Sequence, residues 1–392
     1  MNRKSKKVWW VISVVVLVAA VLAIWRGAVF LKEEAKTDKT EEVTEKAPAI
    51  EIPEGALSIV DEGATPDDDT DDLSAIQAVL DRAAEQKKAV YIPPGNYRLS
   101  GILTVNGVSL LGDGSDKAIL TSTNPENGSI DMQGDGAVLS GFAHVYETTV
   151  ERGNGANDKN SITVKGASNF KILNLLIDKS STAGIFVGDE SSNGTITGNS
   201  LRNTGADGIH ITNGSTGVTI TENSVREAGD DTIAVVSYEE NSQTTSDITI
   251  RDNDVGYGSK ARGISVVGGE NVKIENNQIR DTEMAGIYIS VEKEWDTRNV
   301  KDVSISGNTI EHTGTRIAGE HPNILVYASQ GNIDEIKFNG NTISDSVHGG
   351  IGVWGSGEIG NIYFDANKLE NTKGLATNFK SGTIHSEGNT GF

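Results

Sequence analysis

The chain has 392 residues, enough for one large domain or two ordinary ones, and no cysteine, which excludes a disulfide scaffold and any thiolate metal site. Its formal charge of −21 opposes nucleic acid as a partner and would repel an acidic polysaccharide, unless cations or a local basic patch intervene. The 45 glycines against 7 prolines, with abundant Asn, Thr and Ser, suit many short strands joined by tight turns.

Arg3, Lys4, Lys6 and Lys7 form a basic tail over residues 1–7, followed by an uncharged run from Val8 to Trp25. A bilayer span needs about 17–25 residues, so residues 8–31 read as a transmembrane anchor. A cleaved signal segment is the alternative, with Val21-Leu22-Ala23 as a passable cleavage site. The basic flank stays in the cytoplasm, so the expectation is a single-pass protein of the cell membrane with its body outside the cytoplasm, or a secreted one if the segment is cut. Residues 32–56 are charged and poor in large apolar groups, as a solvated linker is.

From residue 57 to 392 the chain reads as one domain. Leu73, Ile76, Gln77, Leu80 and Ala84 follow helical spacing, which predicts a helix over about 71–86. Thr70 is the expected cap, with the early aspartates facing the helix's positive end. Pro93-Pro94-Gly95 then forces a turn.

Beyond residue 100 the chain is self-similar. An I-x-x-N-x-aliphatic element recurs at Asn199, Asn223, Asn253, Asn277, Asn308, Asn341 and Asn367, spaced by 24, 30, 24, 31, 33 and 26 residues. Between its copies lies a G-φ-x-φ element (φ aliphatic), as in GIHI (208–211), TIAV (232–235), GISV (263–266) and GIYI (286–289). Alternating apolar positions bury one face of each short strand. A period near 24 residues fits one coil of a parallel β-helix, whose coils close a core only by stacking. The fold class expected is all-β, a right-handed single-stranded parallel β-helix with an N-terminal capping helix. The repeated asparagine is expected at a bend, where it tolerates left-handed backbone and can bond to its counterpart one coil, about 4.8 Å, away.

Aligned on the G-φ-x-φ element, Asp207, Asp231 and Arg262 occupy one column, with His210, Ala234, Ser265 and Tyr288 outward beside it. Asp230 adjoins Asp231, and Lys260 sits at the turn before Arg262. The two carboxylates at coil spacing, Asp207 and Asp231, cannot both ionise freely, so one pKa should rise. A carboxylic acid beside a carboxylate is what glycosidic hydrolysis requires, with no cofactor, and Arg262 could bind an anionic substrate group or stabilise developing charge. The same residues permit a second chemistry. Asp207, Asp230 and Asp231 could hold Ca²⁺ while Lys260, Arg262, His210 or Tyr288 acts as base or acid in β-elimination from a uronic acid. A third reading is a non-catalytic β-helix that binds glycan or serves as a surface protein. Lengthened coils at 237–245, 291–299 and 312–321 are expected to wall a groove, with Tyr238, Tyr257, Tyr288, Glu292, Trp295 and Tyr327 as candidate sugar contacts.

The stretch 69–101, DTDDLSAIQAVLDRAAEQKKAVYIPPGNYRLSG, resembles the opening of the pectate-lyase-like superfamily of right-handed β-helices. That likeness implies a helix covering the open end of the coil stack. It implies no single activity, because the superfamily includes hydrolases, lyases, epimerases and phage adhesins. The middle coils are partly similar to polygalacturonases, which carry Asn-Thr-Asp, Gly-Asp-Asp, Gly-His-Gly and Arg-Ile-Lys. Gly205-Ala206-Asp207 and Gly229-Asp230-Asp231 stand at the first two motifs, so all three aspartates are present. Ala261-Arg262-Gly263 and Tyr288-Ile289-Ser290 stand at the others, so the histidine and both basic residues are missing. The resemblance implies Asp230 as general acid, with Asp207 and Asp231 positioning and activating water. The missing basic residues argue against polygalacturonate as substrate.

Overall fold

The structure is a computed structural model, and it describes residues 51–316 and 319–392. The segment read as a membrane anchor and most of the 32–56 linker lie outside the described residues. Among the described residues, no helix is long and apolar enough to cross a membrane.

Successive coils stack into three parallel sheets of 14, 11 and 11 strands. One coil runs through Thr195–Thr197, Ser200–Thr204 and Ile209–Ile211; the next, through Thr219–Thr221, Ser224–Arg226 and Ile233–Val236. Register pairs Ile196 with Ile220, Leu201 with Val225 and Ile209 with Ile233. Each pair is fully or almost fully buried, so one column of aliphatic side chains per sheet fills the solenoid. Each such side chain contributes about 1.5–3 kcal/mol on burial, which a single coil could not collect alone.

The helix spans Leu73–Gln86 and buries Ile76, Val79, Leu80 and Ala83. It lies against the strand Leu103–Asn106, where Gln77 donates to the Thr104 carbonyl and accepts from the Thr104 amide. Two expectations are corrected here. Ala84 is exposed, and the buried stripe passes through Ala83 instead. Thr70 does not cap the helix: its hydroxyl donates to Asp68 at 2.7 Å. Asp72 holds the cap position, but its carboxylate accepts the amides of Thr65 and Arg98 and so ties the helix start to the first coil.

The asparagine column is present and continuous. The Asn199 amide and side-chain nitrogens both donate to Asn223 Oδ1, at 3.0 and 2.9 Å, and the pattern repeats down the column to Asn367. It runs one step further than expected, to Asn389, which accepts from Asn367. The left-handed residue is not the asparagine but the one before it: Gly198, Glu222, Asp252, Asn276, Gly307, Gly340 and Ala366 all have φ between 54° and 68°. The bend is made there, and the asparagine can then turn its amide inward.

Gly256 has φ 117°, and a Cβ there would overlap the Arg280 carbonyl oxygen of the next coil. The strand register shifts at this point. Gly256→Ala is therefore expected to cost about 1–3 kcal/mol, read as a lower urea midpoint at unchanged slope.

Candidate active site

The site is built on the outer face of the 11-strand sheet containing Ile209–Ile211, Ile233–Val236, Ile264–Val267 and Ile287–Val291. The sequence column is present in the backbone. Gly208 N donates to the Asp231 carbonyl, Thr232 N to that of Arg262, and Gly263 N to that of Ala285. Residues 207, 231, 262 and 285 are thus successive rungs. Asp230 belongs to a neighbouring column, where its backbone bonds to Ala206 on one side and Ala261 on the other. Two methyl groups as neighbours leave its carboxylate room to project.

Each carboxylate has a different environment. Asp207 is buried; its Oδ2 accepts from His210 Nδ1 at 2.5 Å and its Oδ1 from the Asp231 amide at 2.9 Å. Burial pushes its carboxyl up, but the hydrogen bond and charge of His210, with Arg152 and the Asp231 amide, hold it below the usual carboxylate range. Asp231 is buried too: Oδ1 accepts the Arg262 amide at 2.9 Å, and Oδ2 accepts the Ser265 hydroxyl at 2.6 Å. Asp230 has weaker partners, Arg152 at 3.3 Å and Arg262 at 3.9 Å. Burial first, then the charges of Asp207 and Asp231, push the Asp230 carboxyl up to about 7. The raised acid is Asp230, while Asp207, stacked one coil from Asp231, is held down.

Arg262 reaches Asp231 at 3.4 Å and Glu292 at 3.5 Å, and its guanidinium lies 4.6 Å from the centre of the Tyr288 ring. Although burial opposes its charge, Asp231, Glu292 and Asp230 keep it firmly protonated. Tyr288 donates to Glu292 Oε1 at 2.8 Å. Burial raises the Glu292 carboxyl despite the opposing Arg262 and Tyr288.

These groups line a cavity of about 410 Å³. Its floor includes Ala234, Val236 and Val267, and Tyr238, Trp295 and Thr297 stand at its wall. The wall is two lengthened loops pinned together. Tyr238 bridges Thr297, Glu239 N donates to the Asp296 carbonyl at 2.9 Å, and Arg298 Nε donates to the Tyr238 carbonyl at 3.0 Å. Trp295 is 62 % exposed, as a stacking platform must be.

The structure thus brings Asp207, His210, Asp230, Asp231, Arg262, Tyr238, Glu292 and Trp295 to one cavity. Lys260 is not among them: its ammonium pairs with Glu283 at 3.0 Å. Tyr288 is buried beneath Arg262 and offers no face to a sugar. Tyr257 is bonded to Asp254 on a neighbouring sheet, with Arg226 stacked 3.6 Å from its ring centre. Tyr327 packs in an outer apolar cluster with Leu325 and Trp354. Sequence reasoning missed Arg152, which enters from the segment between the strands Ala143–Tyr146 and Ile162–Lys165. The signal was the length of that interval, in coils otherwise closely spaced.

Carboxylate oxygens of Asp207, Asp230 and Asp231 lie within 4.8 Å of one another, a spacing a cation could use. Ca²⁺ takes 6–8 oxygen ligands. Both oxygens of Asp207 and of Asp231 already accept hydrogen bonds, and two guanidiniums occupy the positions that compensate the charge.

The chain matches the family model "Rhamnogalacturonase A/epimerase, pectate lyase-like" over residues 56–288, and a model of the right-handed β-helix region over 237–369. Among solved structures it is similar to the catalytic unit of a GH87 α-1,3-glucanase from Streptomyces thermodiastaticus. The TM-score there is 0.69 at 21% identity, covering 88% of this chain and 71% of that one. It is also similar to the surface protein and adhesin PfbA of Streptococcus pneumoniae, with TM-score 0.68, 18% identity, and coverage of 85% and 96%. A third is the A-module of the mannuronan C-5 epimerase AlgE6 of Azotobacter vinelandii, with TM-score 0.56, 18% identity, and coverage of 85% and 98%. At these identities the likeness is one of fold. No curated protein sequence matches the chain.

Proposed function

This chain belongs to the rhamnogalacturonase A/epimerase family of pectate-lyase-like β-helices, and from that premise we propose that it cleaves a polysaccharide by hydrolysis, with Asp230 as general acid. One observation carries the reading: a carboxyl raised to about 7 faces an open cavity between two carboxylates held by fixed hydrogen bonds. Near neutrality Asp230 is partly protonated. It gives its proton to the glycosidic oxygen as the bond to the anomeric carbon breaks. A water molecule, positioned by the Asp207 and Asp231 carboxylates, adds its oxygen to that carbon and passes one proton to one of them. His210 and Ser265 hold these two acceptors in place, and Arg262 offsets charge beside the reacting centre. Trp295 and Tyr238 supply sugar-stacking surface.

The Ca²⁺-dependent lyase alternative has weaker support, because its amine candidate Lys260 is committed to Glu283. The two chemistries part in one assay. Hydrolysis releases reducing ends without an ultraviolet-absorbing unsaturated product, and excess chelator is expected to leave the rate unchanged. An unsaturated product that vanishes with chelator would establish the lyase instead. Glycan retention with no turnover of any polymer would support a non-catalytic surface protein; PfbA, a structural neighbour, is a surface protein and adhesin.

Placement outside the cytoplasm, tethered by residues 8–31, is part of the same proposal and rests on the basic tail and the apolar run. Release of the full chain from membranes by alkaline carbonate would overturn the tether.

A further inference from the structure

We infer that residues 147–161 form a flap latched at the cavity by Arg152, and that Arg152 leaves Asp230 for the glycan when substrate enters; the inference rests on the hydrolase reading above and adds its gate. The flap joins the strands Ala143–Tyr146 and Ile162–Lys165. Its two ends are tied down. Val150 N donates to Ser181 Oγ at 3.1 Å, the Ala156 carbonyl accepts the Thr182 hydroxyl at 2.7 Å, and the buried Lys159 pairs with Glu126 at 2.6 Å. Between these anchors lies the tip, Glu151-Arg152-Gly153-Asn154-Gly155, in which every residue is exposed. Gly153 and Gly155 have φ of 42° and 70°, and a Cβ added at Gly155 would touch nothing, so no packing holds the tip there. The carbonyls of Glu151 and Gly155 bond within the flap, to Lys159 Nζ and the Asp158 amide. Among the described residues, the tip's one hydrogen bond or ion pair to the rest of the protein is Arg152 to Asp230 Oδ2, at 3.3 Å. An exposed pair of this kind holds weakly, and a segment with so few packed contacts opens at little cost.

A glycosidic oxygen that takes the Asp230 proton must come within hydrogen-bond reach of Oδ1 or Oδ2. A guanidinium stands at each, Arg262 at 3.9 Å from Oδ1 and Arg152 at 3.3 Å from Oδ2. Arg262 is fixed. It is shared by Asp231 and Glu292, lies over the Tyr288 ring, and has a side chain only 20% exposed. Arg152 can give way, because its side chain is 55% exposed and has no second acidic partner among the described residues. Its guanidinium carries five N–H donors, and displacement from Asp230 turns them to the oxygen atoms of a glycan in the cavity that Arg152 lines. Bound substrate thus replaces Asp230 as the acceptor that holds the flap shut.

The test uses the full-length chain. Trypsin takes an arginine side chain into its own pocket, so it cuts the Arg152–Gly153 bond only while Arg152 is free of Asp230. Asp230→Asn and Asp230→Ala are expected to be cut there several-fold faster than the parent, with fragments identified by mass and the fold checked by the unfolding midpoint. An unchanged rate in a folded variant would remove the latch. For the clamp on substrate, Arg152→Ala is expected to raise KM about tenfold with kcat within about twofold, because a charged donor is lost from bound substrate and transition state alike. The unfolding midpoint stays unchanged, and Arg152→Lys, which keeps the charge, recovers part of the loss. An unchanged KM would overturn the clamp while leaving the hydrolase reading intact. If the parent turns over no polymer, the hydrolase reading fails, and retardation in gels containing neutral glucans, galactans, mannans or polygalacturonate decides. Weaker retention of Arg152→Ala by a polymer that slows the parent supports the clamp; equal retention, or none of the parent by any polymer, overturns it.

Discussion

Asp230→Asn is expected to lower kcat by about a thousandfold, with glycan retention in affinity gels unchanged. The amide keeps the shape and loses the transferable proton, so the loss falls on turnover and spares binding. The pH profile of the parent follows from the same group. Its carboxyl is raised to about 7, so the acid form is depleted as pH rises through that value, and the rate falls about tenfold per unit above it. The opposing limb lies in acid, because the Asp207 carboxyl is held below the ordinary range. Stability has the matching sign. A carboxyl whose folded pKa is raised stabilises the fold fully below its unfolded value and loses that contribution as pH rises through the folded one. Asp230→Asn, which cannot ionise, is therefore expected to unfold at pH 8 no earlier than the parent. A variant that kept most of its kcat, or that lost activity together with its fold, would remove Asp230 from the role of acid.

The largest effect on folding is expected at the asparagine column. Asn253 is 1% exposed, and its side chain makes five hydrogen bonds: it donates to the Ile220 and Arg251 carbonyls and to Asn277 Oδ1, and accepts from both nitrogens of Asn223. Truncation leaves the buried Asn223 amide without its acceptor and breaks the column between two coils. At about 1–3 kcal/mol for each buried group left unpaired, Asn253→Ala is expected to cost about 3–5 kcal/mol. Asn389 provides the comparison: it accepts from Asn367 and donates to the Phe364 carbonyl and the Ser386 hydroxyl, but it ends the column in a partly exposed position where water can replace lost partners. Asn389→Ala is expected to cost about 1 kcal/mol. Chemical denaturation of the two variants decides the matter, and equal costs would show that the column is not a cooperative element.

The column also shows where reading a sequence stops. Its existence was legible because stacking repeats the same requirement in every coil, and the spacing records that requirement. The conformation was misplaced by one residue. Glu222 and Ala366 do not advertise left-handed backbone, yet they adopt it because the inward asparagine after them over-determines the bend. The helix start was misread for a similar reason. Asp72 could have capped the helix, but the first coil claims its carboxylate through Thr65 and Arg98.

Period, strand alternation and the in-register positions 207, 231 and 262 follow from the sequence alone, because a parallel solenoid turns a linear interval into a contact one coil away. Interval says nothing about where a long side chain points. Lys260 and Arg262 are two residues apart, yet one pairs outward with Glu283 and the other lies inward over Tyr288. Arg152 reaches Asp230 from 78 residues away. That Asp230 is the raised acid was named only through a resemblance, and its physical cause was hidden. The rise depends on burial and on summed hydrogen bonds and charges, and these exist only once the coils, the two pinned loops and the distant arginine have come together.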